Sequence, residues 1–178
     1  MKYFVYLFLI LILLGLNVGL FNYIRIFGQM PNLLFLLALC ASLEKNDFDF
    51  YFIAFVGGLF LDFFSTGFFG GYTFSFLVVS LLAHFFADNV LVSGFNWKTL
   101  SGVLLVGFLV FSWVWWLYSF VSVLLGLAPD FLSLKEFLLT LVPGIFYNLL
   151  LLYPIYILNN LTREFLNNWH IRRRGVIY

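Results

Sequence analysis

Three stretches of this chain, residues 3–24, 100–125 and 137–158, run without one charged side chain. An α-helix needs about 20 predominantly apolar residues to cross the ~30 Å hydrocarbon layer of a bilayer. Uncharged runs of that length therefore point to membrane spans. Composition agrees, with 64% of residues hydrophobic and only 10% charged. A soluble domain carries about 25% charged residues, so this chain cannot cover itself with a wetted surface. The fold class that follows is an all-α membrane protein, with residues 1–178 forming one polytopic domain. Residues 3–20 resemble a secretory signal only superficially. The apolar run is too long, no small-residue cleavage site follows, and it is expected to remain as the first span. A net charge of +1 and the lack of a basic patch interleaved with aromatics exclude nucleic acid as a partner. The single Cys40 leaves no intrachain disulfide and no cysteine-based zinc site.

Polar clusters divide the chain into six apolar stretches, about 3–24, 31–43, 48–64, 72–87, 100–125 and 137–158, with a tail over 159–178. The second is short. At about 1.5 Å per residue it reaches roughly 20 Å, so it needs shielding by its neighbours or an earlier start. Pro31 suits its first helical position. Ser133-Leu-Lys-Glu136 is a capping-box pattern, which places the start of the sixth helix at Ser133. Ser65, Thr66 and Gly67 leave only a tight connection between the third and fourth spans, so those two are antiparallel neighbours.

Six spans put both termini on one side, together with the loops around residues 44–49 and 88–98. That side carries Lys2, Lys45, Lys98, Arg163, Arg172, Arg173 and Arg174, and the other carries Arg25 and Lys135. The positive-inside bias places both termini in the cytoplasm.

The third stretch contains an acid, Asp62, at a depth where a charge costs several kcal/mol unless it is paired or close to water (~3 kcal/mol by insertion scales). Ala54, Gly58, Asp62 and Ser65 recur at helical spacing on one stripe, with Phe52, Phe55, Phe60, Phe63 and Phe64 on other faces. A stripe of small residues admits another helix, so Asp62 meets protein or water and not lipid. Two roles stay open at this point. Asp62 is either a structural acid bonded to backbone or hydroxyl groups near the turn over residues 65–67, or a direct contact for a partner or ligand.

Two further features are candidates for packing or partner contact. Gly15-Leu-Asn17-Val-Gly19 is a GxxxG pattern with a polar residue inside it, suited to a close helix crossing within the chain or with a partner. Trp113, Trp115 and Trp116 lie well inside the fifth stretch, either as lipid-facing or core bulk or as the wall of a groove that receives a helix. The tail mixes Leu161, Phe165, Trp169 and Ile171 with arginines. It either lies on the anionic inner leaflet or serves only to enforce topology. His84 and Asp88, four residues apart, suit an interfacial pair.

The segment Gly57-Gly58-Leu59-Phe60-Leu61-Asp62-Phe63-Phe64-Ser65, followed by Gly67 and Gly70, resembles the glycine- and leucine-rich segment of the MreD family. Members of that family are rod shape-determining integral membrane proteins of bacteria. Pro31-Asn32-Leu33-Leu34 at the short second span fits the same family, although an aspartate often follows that proline and Asn32 stands here. The resemblance implies a compact bundle of six transmembrane helices in the bacterial cytoplasmic membrane, similar to the S components of energy-coupling-factor transporters. It implies a non-catalytic scaffold of the cell-elongation complex, without a cofactor. Such a scaffold binds MreC directly and works with MreB, RodA and a class B penicillin-binding transpeptidase in lateral peptidoglycan synthesis. The similarity to S components supplies an alternative, a subunit that binds a vitamin-type molecule from the outer face. Its candidate polar groups are Asp62, Thr66, Thr73, Asp130 and Asn148.

An intramembrane hydrolase needs two carboxylates close enough to share a proton or activate water. Asp62 and Asp130 fall on the same side, but Asp130 follows Pro129 in a loop and carries no recognisable motif. His84 and His170 pair with no nucleophile motif and are expected on the cytoplasmic side. The sequence is therefore read as a non-enzyme.

Overall fold

The computed structural model describes residues 2–21, 23–25, 29–43, 49–65, 69–90, 97–126 and 134–174. Six α-helices account for most of them: α1 (Lys2–Gly15), α2 (Leu33–Ser42), α3 (Asp49–Phe64), α4 (Gly71–Val90), α5 (Trp97–Leu124) and α6 (Leu134–Arg174). A π-helical turn, Leu16–Leu20, extends α1. No β-strand occurs among the described residues. Three segments are long and apolar enough to cross a membrane: Lys2–Leu20, Leu100–Leu117 and Leu141–Trp169.

The short helix α2 is the hub. Every residue from Leu33 to Ser42 is buried, and α2 touches each of the other five helices. Ten residues rise about 15 Å, half the hydrocarbon thickness, so α2 cannot span alone and is sheathed by its neighbours. Its start differs from the expected one. The Asn32 side chain accepts a hydrogen bond from the Phe35 amide at 3.0 Å, and the Asn32 carbonyl accepts from Leu36 at 3.0 Å. Asn32 is thus the N-cap, with α2 beginning at Leu33, and Pro31 precedes the cap instead of occupying the first helical turn.

Hydrophobic association is weak as a driving force between helices surrounded by lipid, so close packing has to supply cohesion. Gly107 of α5 shows how this is met: a Cβ there would lie 2.6 Å from Leu39 Cδ1 of α2. Around that crossing Phe35 gathers Phe111 at 5.1 Å, Phe76 at 5.8 Å and Phe108 at 6.2 Å between ring centroids. These separations fall in the range of favourable offset and edge contacts. The outward faces are apolar too, with Phe4, Phe8, Phe63, Phe74 and Leu150 all exposed. A soluble surface does not sustain aromatic exposure on that scale.

Lys2 pairs with Asp49, joining the first turns of α1 and α3 at one end of the molecule. At the same end His84 Nδ1 lies 3.0 Å from the Ser42 carbonyl oxygen at the last turn of α2, and its ring packs on Phe50 at 4.6 Å. His84 is therefore engaged by α2, while the side chain of Asp88 lies outside the described residues. The sixth helix does not end near residue 158. It continues through Pro143 and Pro154 to Arg174, and Asn159 and Leu166 are buried against the body. The first part of the segment read as a tail is a packed extension of α6.

Candidate functional site

Asp62 sits in the last turn of α3, with 3% of its surface exposed. Its Oδ1 accepts the Tyr72 amide at 2.9 Å, and its Oδ2 accepts the Thr73 amide at 3.0 Å and the Thr73 hydroxyl at 2.6 Å. Both amides belong to the first turn of α4. The Gly70 carbonyl accepts the first bond of that helix, from Phe74 at 2.9 Å, which makes Gly70 the N-cap. Gly70 has φ +100°, a conformation that glycine adopts at little cost, and it offers no side chain to satisfy the free amides. The carboxylate of Asp62 takes over that role from the neighbouring helix. Its negative charge faces the positive end of the α4 dipole.

Gly58 makes this approach possible. One turn before Asp62, a Cβ on Gly58 would lie 2.5 Å from Thr73 Cα and 2.8 Å from Thr73 N. The obstruction is backbone, which cannot swing aside. Gly57 is different, for its Cβ would meet only Leu34 Cβ at 3.7 Å, an ordinary contact. The stripe of Ala54, Gly58 and Asp62 is buried, and α3 makes its most extensive helix contact with α4. Ser65 is half-buried and donates its hydroxyl to the Asp62 carbonyl at 3.3 Å. Gly67, like Thr66, lies outside the described residues.

The remaining candidates are spread out. Gly15 and Gly19 are exposed, with no atom of the described residues within 4 Å of a Cβ at either, so they contact no other helix among those described. Asn17 between them points inward and is 4% exposed. Trp113 is exposed, Trp116 half-buried, and Trp115 lies inward at 4.7 Å from Tyr72, against Gly71. The three tryptophans thus serve different surfaces.

A second polar joint links α2 to α6. The Asn32 amide donates to Asn148 Oδ1 at 3.1 Å, and Asn148 Nδ2 donates to the Gly144 carbonyl at 2.8 Å. Nearby, the Tyr147 hydroxyl donates to the Ile24 carbonyl at 2.9 Å, tying the segment after α1 to α6. Beside the Asn32–Asn148 joint lies a cavity of about 290 Å³, at the end of the molecule opposite the Lys2–Asp49 pair. Its walls include Asn17, Tyr72, Phe111, Ser112, Trp115 and Asn148.

No known protein family, curated protein or solved structure matches the chain. Asp130, the other acid on this side by sequence, lies outside the described residues. No cluster of three or more metal-binding side chains occurs among those described. Of the described members of the polar set proposed for ligand capture from sequence, Asp62 and Thr73 are bonded to each other, and Asn148 lines the cavity.

Thr73 and Gly70 complete the Asp62 arrangement, and their parts were only faintly signalled. The available signal was a paired glycine, Gly70-Gly71, opening an apolar helix with no Ser, Thr, Asp or Asn in the cap position. A helix start so bare needs its amides satisfied from elsewhere.

Proposed function

We propose that this chain is a multi-pass protein of the bacterial cytoplasmic membrane, a six-span bundle with both termini in the cytoplasm. On this reading it acts as a non-catalytic scaffold of the MreD kind. It binds the single membrane helix of MreC and supports the elongation complex that includes MreB, RodA and a class B penicillin-binding transpeptidase. Cell shape and lateral peptidoglycan synthesis follow from that assembly.

The observation that carries the reading is the bonding of Asp62. Both carboxylate oxygens are held by the first turn of α4, so the acid at membrane depth acts as a structural clasp. A general acid or base has to reach a substrate proton, and a carboxylate with three bound donors is poorly disposed to do so. The surface of the body is open to a partner helix. Gly15 and Gly19 offer an outward, small-residue strip on α1 and its π-helical extension, the kind of surface that lets a second helix approach closely.

The test is recovery of MreC with the detergent-solubilised chain, compared between wild type and a Gly15→Leu, Gly19→Leu double variant. Leucines at these open positions leave the fold intact, so loss of MreC from a folded variant supports the strip as the contact. Undiminished recovery removes it. No recovery of MreC with wild type removes the scaffold reading itself.

A further inference from the structure

Asn17 is nearly fully buried, yet its Oδ1 has no hydrogen-bond partner among the described residues. A buried amide left in that state costs free energy, and native proteins keep few of them. Its backbone is irregular as well, because it lies in the π-helical turn Leu16–Leu20, a feature that often marks functional positions in helices. The widened turn leaves Gly15 and Gly19 outside and Asn17 on the wall of the 290 Å³ cavity.

We propose that this cavity binds a small, neutral, planar molecule carrying an amide-like pair of donor and acceptor groups, with Asn17 as its recognition group. The inference is independent of the scaffold reading. Three observations set the ligand class. Tyr72, Phe111 and Trp115 supply an aromatic wall suited to a flat ring. None of the described lining residues is charged, which disfavours ions and the charged headgroups of phospholipids. The amide of Asn148 is already used by Asn32 and Gly144, whereas the Asn17 oxygen has no partner among the described residues. Rotation about the last side-chain bond of Asn17 presents either its oxygen or its NH2 to a ligand, and Ser112 is a further polar residue of the lining. A mostly apolar pocket with a few polar groups is the usual form of a small-molecule site.

The experiment uses the purified full chain in detergent and saturation-transfer NMR with benzamide as the probe. N,N-dimethylbenzamide, which lacks the N–H donors, controls for partition into the micelle. Wild type transfers saturation to benzamide more strongly than to the dimethyl analogue. Asn17→Leu weakens benzamide binding about fivefold, the effect of one buried hydrogen bond. It does so without lowering thermal stability, because the Asn17 oxygen has no partner among the described residues to lose. Ser112→Phe, which fills the cavity from α5, abolishes binding and serves as the second variant if Asn17→Leu does not fold. Equal transfer to both probes, or equal benzamide binding by wild type and the folded variant tested, overturns the proposal. So does the absence of any transfer to benzamide.

Discussion

Asp62 Oδ2 receives both the amide (3.0 Å) and the hydroxyl (2.6 Å) of Thr73, so one oxygen of α3 closes the first turn of α4. The bond joins two helices whose connection is only a few residues long, and it does so where Gly70 provides no cap of its own. Replacing Asp62 by Asn removes the charge and leaves a single acceptor oxygen for three donors. We expect a loss of about 1–3 kcal/mol for Asp62→Asn and a larger one for Asp62→Ala, which strands all three donors. SDS titration of unfolding in mixed micelles measures both. An Ala variant as stable as wild type contradicts the capping role.

Adjacent glycines should behave oppositely. Gly58→Ala drives a methyl into the Thr73 backbone and should cost ~1–3 kcal/mol as overpacking. Gly57→Ala meets only ordinary contact with Leu34 and should be neutral, or stabilising by up to about 1 kcal/mol through helix propensity. The same titration compares them, and equal effects at the two positions would count against the close α3–α4 approach.

Gly58 and Asp62 should also act as a unit. A methyl at Gly58 displaces the very turn that Asp62 holds, so the double variant Gly58→Ala, Asp62→Asn should be less destabilised than the sum of the singles. The expected coupling is about 0.5–3 kcal/mol. Additive effects mean that the glycine and the acid stabilise separate features.

Much of this was legible in the chain. The spacing of Ala54, Gly58 and Asp62 marked a stripe for another helix, and the tight connection after Ser65 named α4 as the neighbour. Periodicity reports a face, however, and not what lies opposite it. That Thr73 and Tyr72 would supply the donors depends on the rotation of α4 about its own axis, which is set by Gly58 meeting Thr73. Pro31 misled for a related reason: proline at the first helical position is common, but the Asn32 side chain can cap and thereby shifts the start. The inward turn of Asn17 was hidden because a π-helical turn breaks the 3.6-residue register on which GxxxG patterns are read.

Asn148 makes a prediction at the other joint. Asn148→Leu keeps the branched shape of the side chain and removes the acceptor of the Asn32 amide, so it should cost ~1–3 kcal/mol. Hydrogen exchange at the Asn32 amide should quicken in the variant more than exchange at the centre of α3. Unchanged protection at Asn32 speaks against the α2–α6 link.

The most direct measurement takes Asp62→Asn and records two quantities on one detergent preparation: unfolding stability, and the fraction of folded protein that retains MreC. If the acid is a structural clasp on a scaffold, stability falls and retention per folded molecule stays at the wild-type level. Wild-type stability together with loss of MreC would instead place Asp62 in the contact itself and contradict the account.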